Sequence, residues 1–482
     1  MPSSRRNSLR KKSPIRSVDY MGMVWVIAEA EKRGFSPSDP EWCNFGKGQP
    51  ETEKMECGPE RIHSVDIDSS HFGYGPVNGT PEMRQAVADH YNRLYRTGKK
   101  PYTAENVAIA QGGRLMLSRL FRVLQGRMGY QTPDYAGYQE LFDSAHRDLD
   151  PVHISTTEDS AFAVTPGRFA EVAQDLDSFM CSNPCNPTGH LIEGEELSSY
   201  CHTARSTDCL LVMDEFYSHF IYKDSIDGSD CGGVSAAQHV VDPNSDPVLV
   251  IDGMTKSFRY PGWRLAWAVG PPELIKAIGC AGSALDGGPS TVSQCMALKA
   301  LEVDYMQSET RALRDTFTQK RDMMYSRLTR MGFRCLPCDA TFYMWCCLES
   351  LPEPLNTCMG FFTAALDKKI IVGPGKFFDI NPGGRRTGLS AFDGWIRLSF
   401  GPCMDNISAG LDRMEELLRS HGALCKLPVS TPKAVAKRLL HNIRETYTSD
   451  TEADVEPDTE EETINDWNSD EDCCSEIEAN LY

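Results

Sequence analysis

The sequence predicts an α/β fold, with helices on both faces of a mostly parallel, doubly wound sheet. Short apolar runs alternate with helix-like segments, and unusual polar residues follow the runs. Strands that alternate with helices are typical of parallel sheets, because each crossover connection carries a helix. The 482 residues, 40% of them hydrophobic, are enough for two lobes and a large core.

Four apolar runs predict buried strands: Val107–Ala110, Phe179–Ser182, Cys209–Met213 and Val248–Ile251. Helix-like patterns lie between several of them, as in Leu115–Leu124 and Gly194–Arg205. No stretch approaches the ~20 apolar residues of a membrane helix, and no apolar run follows the basic amino terminus as in a signal peptide. The sequence therefore predicts neither a membrane span nor a membrane partner.

The charge of −19 is concentrated at the ends of the chain. The first 16 residues carry six basic residues and no acidic one, whereas residues 450–482 carry 14 acidic residues and no Lys or Arg. We expect residues 1–40 to form a basic, partly disordered segment, and 445–482 an acidic disordered tail suited to docking an unknown basic partner. An acidic body predicts no nucleic-acid partner. We expect a cytoplasmic protein, with the mitochondrion as the alternative.

Polar residues follow each of the four predicted strands. Gly112-Gly113-Arg114 follows the first, Asn186 the second, Asp214 the third and Lys256 the fourth. Ligands of open α/β sheets bind beyond the carboxyl ends of the strands. We therefore expect these residues to converge on one crevice.

Lys256 is the centre of this constellation, since an amine in a water-poor pocket beside cationic groups is a nucleophile near neutral pH. The best-known use of such a lysine is a Schiff base with pyridoxal phosphate. That cofactor needs donors for its phosphate, an anion facing its pyridine nitrogen, a stacking face for the ring and a donor to its phenolic oxygen. The sequence offers a candidate for each.

The phosphate candidates are the glycines and cations around the first and fourth strands. Gly112, Gly113 and Arg114 open a helix, whose N–H groups and dipole suit a phosphate. Thr255 adds a hydroxyl, and Arg264 adds a planar fork that pairs with phosphate oxygens.

The ring candidates come from the other strand ends. Asp214 would face the pyridine nitrogen, although an aspartate there also suits a helix N-cap. Tyr135, in P-D-Y-A-G-Y, would stack on the ring in preference to Tyr138. Asn186 and Tyr217 would donate to the phenolic oxygen. Cys335 and Cys338 form a C-x-x-C pair without a second pair at metal spacing, so we expect no metal site.

Six segments resemble those of class I/II aminotransferases, which are fold type I pyridoxal-phosphate enzymes, and they occur in that family's order. They are G-K-G-Q-P-E from residue 46, Y-G-P-V-N-G-T-P-E-M-R from 74, S-N-P-C-N-P-T-G-H from 182, D-E-F-Y from 214, T-K-S-F-R-Y-P-G-W-R from 255 and W-I-R-L-S-F-G from 395. The resemblance runs from about Trp42 to Leu418 and so covers most of the chain outside the tails.

The resemblance implies a large cofactor-binding domain of residues 74–303 and a small α+β domain of residues 41–73 and 304–425. It also implies a homodimer, in which Tyr74 reaches the phosphate in the partner subunit. It places Gly48 by the substrate carboxylate and Arg397 as the fork for that carboxylate. An internal carboxylate is the other partner open to a half-buried arginine.

The implied reaction moves an amino group between an α-amino acid and an α-keto acid through a Schiff base on Lys256. Two alternatives share these motifs: a lyase or synthase of the same fold, resembling aminocyclopropane-carboxylate synthase or the C–S lyases, and a binding protein without turnover. The chain also departs from the family. Gly253 replaces a frequent serine, Arg114 follows the two glycines, and A-L-D-G-G-P-S (284–290) lacks the arginine of dicarboxylate-specific members, which argues against aspartate as the preferred donor.

Overall fold

The computed structural model describes residues 22–145, 148–222 and 233–423. The basic first 16 residues and the acidic 445–482 segment lie outside these ranges. The α-helices are α1 (Gly22–Glu31), α2 (Pro81–Tyr95), α3 (Gly113–Val123), α4 (Gly137–Ser144), α5 (Pro166–Val172), α6 (Gly194–Thr207), α7 (Pro272–Leu285), α8 (Thr291–Ala300), α9 (Val303–Arg330), α10 (Cys358–Leu366) and α11 (Met404–Ser420). The strands are β1 (Cys43–Asn44), β2 (Val107–Ala110), β3 (Gly126–Gln131), β4 (Leu149–Ile154), β5 (Ser178–Ser182), β6 (Leu210–Asp214), β7 (Val248–Gly253), β8 (Ala266–Val269), β9 (Arg334–Cys335), β10 (Tyr343–Cys347), β11 (Ile370–Ile371), β12 (Gly373–Pro374) and β13 (Trp395–Ser399).

Seven strands form the central sheet in the order β2-β8-β7-β6-β5-β3-β4. All of them run parallel except β8, which is antiparallel to both of its neighbours. The four predicted strands are β2, β5, β6 and β7, with ends shifted by two residues at most. The prediction of an α/β fold with a mostly parallel sheet is confirmed.

The antiparallel strand β8 explains how Arg264 reaches the same edge as Lys256. The carboxyl ends of the parallel strands share one edge of the sheet, and β8 begins at that edge because it runs the opposite way. Arg264 lies two residues before β8, in the left-handed region at φ 52°. Sequence reasoning identified Arg264 from its spacing to Lys256 and did not predict this strand.

A second, antiparallel sheet has the order β12-β13-β10-β9. Its central strands β10 and β13 are buried along their whole length, and Arg397 on β13 lies opposite Trp345 on β10. Apolar residues of this sheet pack with helices α9, α10 and α11 in one continuous core.

The segment 22–40 contains more order than its sequence suggested. Helix α1 begins at Gly22 and buries Val26 and Ala30, and its Met23 reaches the cavity at the edge of the central sheet. The sequence does not predict this helix, because its apolar residues are not confined to one face. None of the helices in the described part of the chain has the length and apolar character needed to span a bilayer.

Candidate active site

A cavity of about 380 Å³ opens at the carboxyl edge of the central sheet. It is lined by Met23, Lys47, Gly48, Gln49, Gly113, Arg114, Leu117, Tyr135, Ser182, Asn186, Asp214, Phe216, Tyr217, Thr255, Lys256, Pro261, Arg264, Tyr343 and Arg397. Most of the residues predicted from the sequence therefore converge, as the strand-end argument required. Two of the predicted residues do not line the cavity. Gly112 lies against the lining residue Arg264, and Tyr74 lies outside the cavity of its own chain.

Lys256 follows β7, and its Nζ donates a hydrogen bond to the carbonyl oxygen of Gly48. Burial, and after it the guanidinium groups of Arg397 and Arg264, lower the pKa of the Lys256 amine to about 7. The carboxylate of Asp214 acts in the opposite direction. A pKa near neutrality means that much of this amine is uncharged at pH 7 and able to act as a nucleophile or base.

Asp214 ends β6 and is almost fully buried. Its Oδ2 accepts a hydrogen bond of 2.7 Å from the hydroxyl of Tyr138. Burial raises the pKa of Asp214 to about 6, against the lowering effect of the Tyr138 hydroxyl and the Phe216 N–H. A turn, not a helix, follows β6, so the alternative interpretation of Asp214 as a helix cap is wrong.

Arg397 is 2% exposed, and it is held by neutral acceptors. Its Nη1 donates to Asn186 Oδ1 and its Nη2 to the carbonyl oxygen of Gly46, both at 2.7 Å. Its guanidinium carbon lies 4.1 Å from the ring centre of Tyr343, and its Nε is buried without a partner. In the described part of the chain no carboxylate pairs with Arg397, so its charge is available for an anionic ligand.

Tyr217 and Tyr343 form a pair that sequence reasoning only half predicted. Their hydroxyl oxygens are 2.8 Å apart, and both rings are buried. A Cβ atom added to Gly48 would come within 2.8 Å of the Tyr343 hydroxyl, so the backbone at Gly48 approaches it closely. Tyr343 lies within the apolar run of β10, so the sequence alone does not distinguish it from a core residue.

The glycines at the start of α3 make room for an arginine and an aromatic ring. Gly112 has φ 88°, and a Cβ there would lie 2.4 Å from Nη2 of Arg264. A Cβ on Gly113 would lie 2.5 Å from the ring of Phe216. The N–H of Gly112 already donates to a carbonyl oxygen of β2 at 2.8 Å, so the first N–H groups of α3 itself, the Arg264 guanidinium and the Thr255 hydroxyl are the donors at one end of the cavity.

Tyr135 and Arg114 occupy the wall beside this end. The Tyr135 ring lies perpendicular to that of Tyr138, with centres 5.3 Å apart, and fits only because residue 137 is a glycine. Arg114 forms a 2.9 Å ion pair with Glu140. The Tyr135 hydroxyl and Glu140 raise the pKa of its guanidinium. Arg114 is therefore already engaged with protein groups, which weakens its assignment as a phosphate ligand.

Tyr74 is fully exposed and does not line the cavity of its own chain. Its contact with a partner subunit stays a prediction. Asp286, in the segment that lacks the second arginine, pairs with the buried Arg119.

The cavity fits pyridoxal phosphate by the chemistry of its donors. Because Gly112 has no side chain, the guanidinium of Arg264 lies directly against the start of α3, which suits a phosphate. The buried carboxylate of Asp214 suits a protonated pyridine nitrogen, and Lys256 is the amine that an aldehyde requires. Among the described residues, no cluster of three or more His, Cys, Asp or Glu is arranged to hold a metal ion.

Comparison with known proteins agrees with this chemistry. The model of the family "Aminotransferase class I and II" matches residues 40–413. The aspartate aminotransferase of Bacillus subtilis is 25% identical over 395 residues, covering 78% of this chain and 91% of that protein. The valine–pyruvate aminotransferase of Mycobacterium tuberculosis is 24% identical over 406 residues, covering 83% and 96%.

A solved structure shows the same fold. The aspartate aminotransferase of Thermus thermophilus with maleate superimposes with a TM-score of 0.68 at 23% identity, covering 84% of this chain and 100% of that one. The chain therefore belongs to the class I and II aminotransferases, a family of pyridoxal-phosphate-dependent enzymes.

Proposed function

We propose that Lys256, Asp214 and Arg397 are the principal active-site residues of this transaminase, which moves an amino group between an α-amino acid and an α-keto acid. The observation that carries the proposal is the amine of Lys256, whose pKa is lowered to about 7 in a cavity that also holds a buried carboxylate and an unpaired buried guanidinium. Such perturbed groups in one cleft are typical of catalytic sites.

Pyridoxal phosphate supplies an aldehyde for amine exchange and an electron sink for the α-carbon of the substrate. Among the residues of this chain, Arg264, Thr255 and the N–H group of Gly113 would hold its phosphate. Gly112, whose own N–H donates to Ala110, would serve by letting Arg264 approach. Asp214 would face its ring nitrogen, which the buried and ionised carboxylate keeps protonated.

The side of the ring and its oxygen are served by three further residues. Tyr135 would lie against the ring, while Tyr217 and Asn186 would donate to the phenolic oxygen. Asn186 also accepts a hydrogen bond from Arg397, so it connects the cofactor and substrate ends of the cavity.

Lys256 is proposed as the base of the reaction. Its Nζ, when uncharged, takes the proton from the α-carbon of the substrate, and the resulting ammonium can return it at the next step. The neighbouring Arg397 and Arg264 favour the uncharged amine and so keep a base available at neutral pH. The carbonyl oxygen of Gly48 orients the amine through its hydrogen bond.

Arg397 would bind the α-carboxylate of the substrate as a planar fork, with Gly48 beside it. The Asn186 oxygen and the Gly46 carbonyl hold the guanidinium in place before substrate arrives. A carboxylate fixed at this position determines which bond of the α-carbon faces the cofactor, which favours deprotonation over decarboxylation.

A domain division and a homodimer complete the proposal. The seven-stranded sheet lies within residues 74–303 and the four-stranded sheet within 304–425, while β1 pairs with β11, which supports joining 41–73 to the small domain. The exposed Tyr74 is the residue that would complete the site of a partner subunit.

The test compares wild type, Lys256→Ala and the control Lys47→Ala, which changes an exposed lysine in the same cavity wall. We expect purified wild type to show a visible absorbance band that borohydride bleaches, and to convert amino donors into keto acids and a new amino acid. Lys256→Ala should lose the covalent link and turnover, whereas Lys47→Ala should keep the band. Full turnover in Lys256→Ala would refute the proposal, and release of ammonia without a new amino acid would indicate a lyase.

A further inference from the structure

A buried carboxyl group, Asp134, lies just behind the cavity and plays no part in the mechanism above. It follows β3 after Thr132 and Pro133 and is 1% exposed. Its Oδ1 accepts from the N–H of Tyr135 at 2.7 Å and from Oγ of Ser182 at 2.5 Å. Its Oδ2 accepts from the N–H of Ser182 at 3.2 Å and from Nε2 of Gln131 at 3.4 Å.

These neutral donors are an unusual environment for a carboxylate. Within the described residues no Lys or Arg pairs with Asp134, and burying an unpaired carboxylate is costly. Burial raises the pKa of Asp134 to about 7, although the hydrogen bonds of Ser182 and Tyr135 oppose this change. A neutral side chain of the same size would be buried at a lower cost in free energy. We therefore ask which groups the two carboxylate oxygens hold in place.

One arm of the network leads to the substrate arginine. The N–H of Asn186 donates to Ser182 Oγ at 3.1 Å, so the Ser182 hydroxyl can direct its own hydrogen to Asp134. Asn186 Oδ1 in turn accepts from Nη1 of Arg397 at 2.7 Å. Asp134, Ser182, Asn186 and Arg397 thus form one continuous chain of hydrogen bonds.

The other arm leads to the aromatic wall of the cavity. Asp134 fixes the backbone N–H of Tyr135, the residue from which the proposed stacking ring extends. The same carboxylate therefore connects the end of β5 with the loop after β3, two elements that carry different parts of the site.

We propose that Asp134 is a positioning residue of the active site, which through Ser182 and Asn186 orients Arg397 for the substrate carboxylate and through its backbone contact places Tyr135. This inference rests on the proposed function, because it assumes that Arg397 binds the substrate.

Asp134→Asn is the first test because it keeps the size of the side chain. Both carboxylate oxygens accept hydrogen bonds, whereas an asparagine turns one of them into an NH₂ group that must face a donor. We expect KM for the amino acid to rise about tenfold or more, with a smaller change in kcat, because loss of ground-state carboxylate binding appears in KM. Ser182→Ala keeps the carboxyl group but cuts the chain, so it should reproduce the rise in KM.

Asp246→Asn is the matched control. Asp246 is also a buried carboxylate with a backbone contact, from Val241, and an ion pair with Arg205, but it precedes β7 at the opposite edge of the sheet. The Asp246→Asn substitution should lower the melting temperature and leave KM unchanged. If Asp134→Asn fails to fold, Ser182→Ala decides the question alone, and an unchanged KM there overturns the proposal.

A double variant tests whether the two residues act in one chain. Asp134→Asn with Ser182→Ala should raise KM no more than the larger single change, because both interrupt the same connection. Multiplied effects would overturn the proposal.

Binding of an α-methyl amino acid, which has no α-proton to transfer, separates this inference from the proposed function. Wild type that binds this probe without transaminating any donor would refute the proposed function alone. Variants at 134 and 182 that bind it as tightly as wild type would overturn the positioning role alone.

Discussion

The pH dependence of Lys256 reactivity is the most direct measure of how the cavity activates this amine. Its pKa falls from 10.5 to about 7, chiefly because the amine is buried. At pH 7 about half of the amine is then uncharged, against about one part in three thousand for a lysine with a pKa of 10.5. The cavity therefore raises the concentration of uncharged amine by about three orders of magnitude at neutral pH.

Reductive alkylation of the cofactor-free protein measures this fraction without the titrations of the cofactor itself. Formaldehyde and cyanoborohydride modify only uncharged amines, and mass spectrometry of the peptide that carries Lys256 gives its initial rate. A free lysine derivative in the same tube corrects for changes in the reagent. We expect the corrected rate to rise about tenfold per pH unit below pH 7 and to level off above pH 8, since the amine is then fully deprotonated.

A rate that climbs without a plateau to pH 10 would refute the argument, because it would show an ordinary lysine. Arg397→Gln supplies the internal check. The guanidinium of Arg397 is the largest of the charges that lower the pKa of Lys256, so its removal should move the midpoint to higher pH. A midpoint that does not move would show that the two groups are screened from each other.

Three other changes test separate parts of the site. Gly112→Ala should weaken cofactor binding far more than Gly98→Ala. Both glycines have a positive φ that an alanine disfavours, but only a Cβ at 112 meets Arg264; equal cofactor affinities would contradict this. Tyr138→Phe should shift the acid limb of the pH–kcat profile to higher pH, because loss of the hydrogen bond raises the pKa of Asp214; an unchanged limb would show that the titration of Asp214 does not cause it. Mixing Tyr74→Ala with Lys256→Ala chains should restore about a quarter of wild-type activity if subunits share sites, because half of randomly mixed dimers are hybrids with one intact site each; no recovery would contradict the shared site.

The fold could be predicted where strands are continuous apolar runs. Strands β5, β6 and β7 lie inside the sheet, so both faces are buried and their central residues are apolar. Strand β3 reads G-R-M-G-Y-Q and escaped prediction, because Gly129 lies where a side chain would collide with Leu176 and Phe179. Strand β3 is buried because of the residues packed around it, and its own sequence does not indicate this.

The candidate site divides in the same way. Lys256, Asp214 and Arg397 could be found because a charged residue beside an apolar run is unusual, and the structure brings them into one cavity. Tyr343 and Asp134 could not be found by that criterion. The first is an aromatic residue among core residues, and the second is an aspartate beside a proline, a pattern typical of any turn.

The division of charge between Lys256 and Asp214 depends on how neighbouring groups reinforce or oppose the effect of burial. Desolvation disfavours the charged form of both groups, so alone it would leave the amine and the carboxyl group neutral together. Tyr138 and the Phe216 N–H stabilise the carboxylate, and the pKa of about 6 leaves Asp214 mostly ionised at pH 7. Arg397 disfavours the ammonium, so Lys256 keeps a large uncharged fraction at the same pH. A neutral base and an ionised acid can therefore coexist in one cavity, because hydrogen bonds oppose the effect of burial at Asp214 whereas Arg397 reinforces it at Lys256. Two of these neighbours, Tyr138 and Arg397, come from segments far from Lys256 and Asp214 in the sequence.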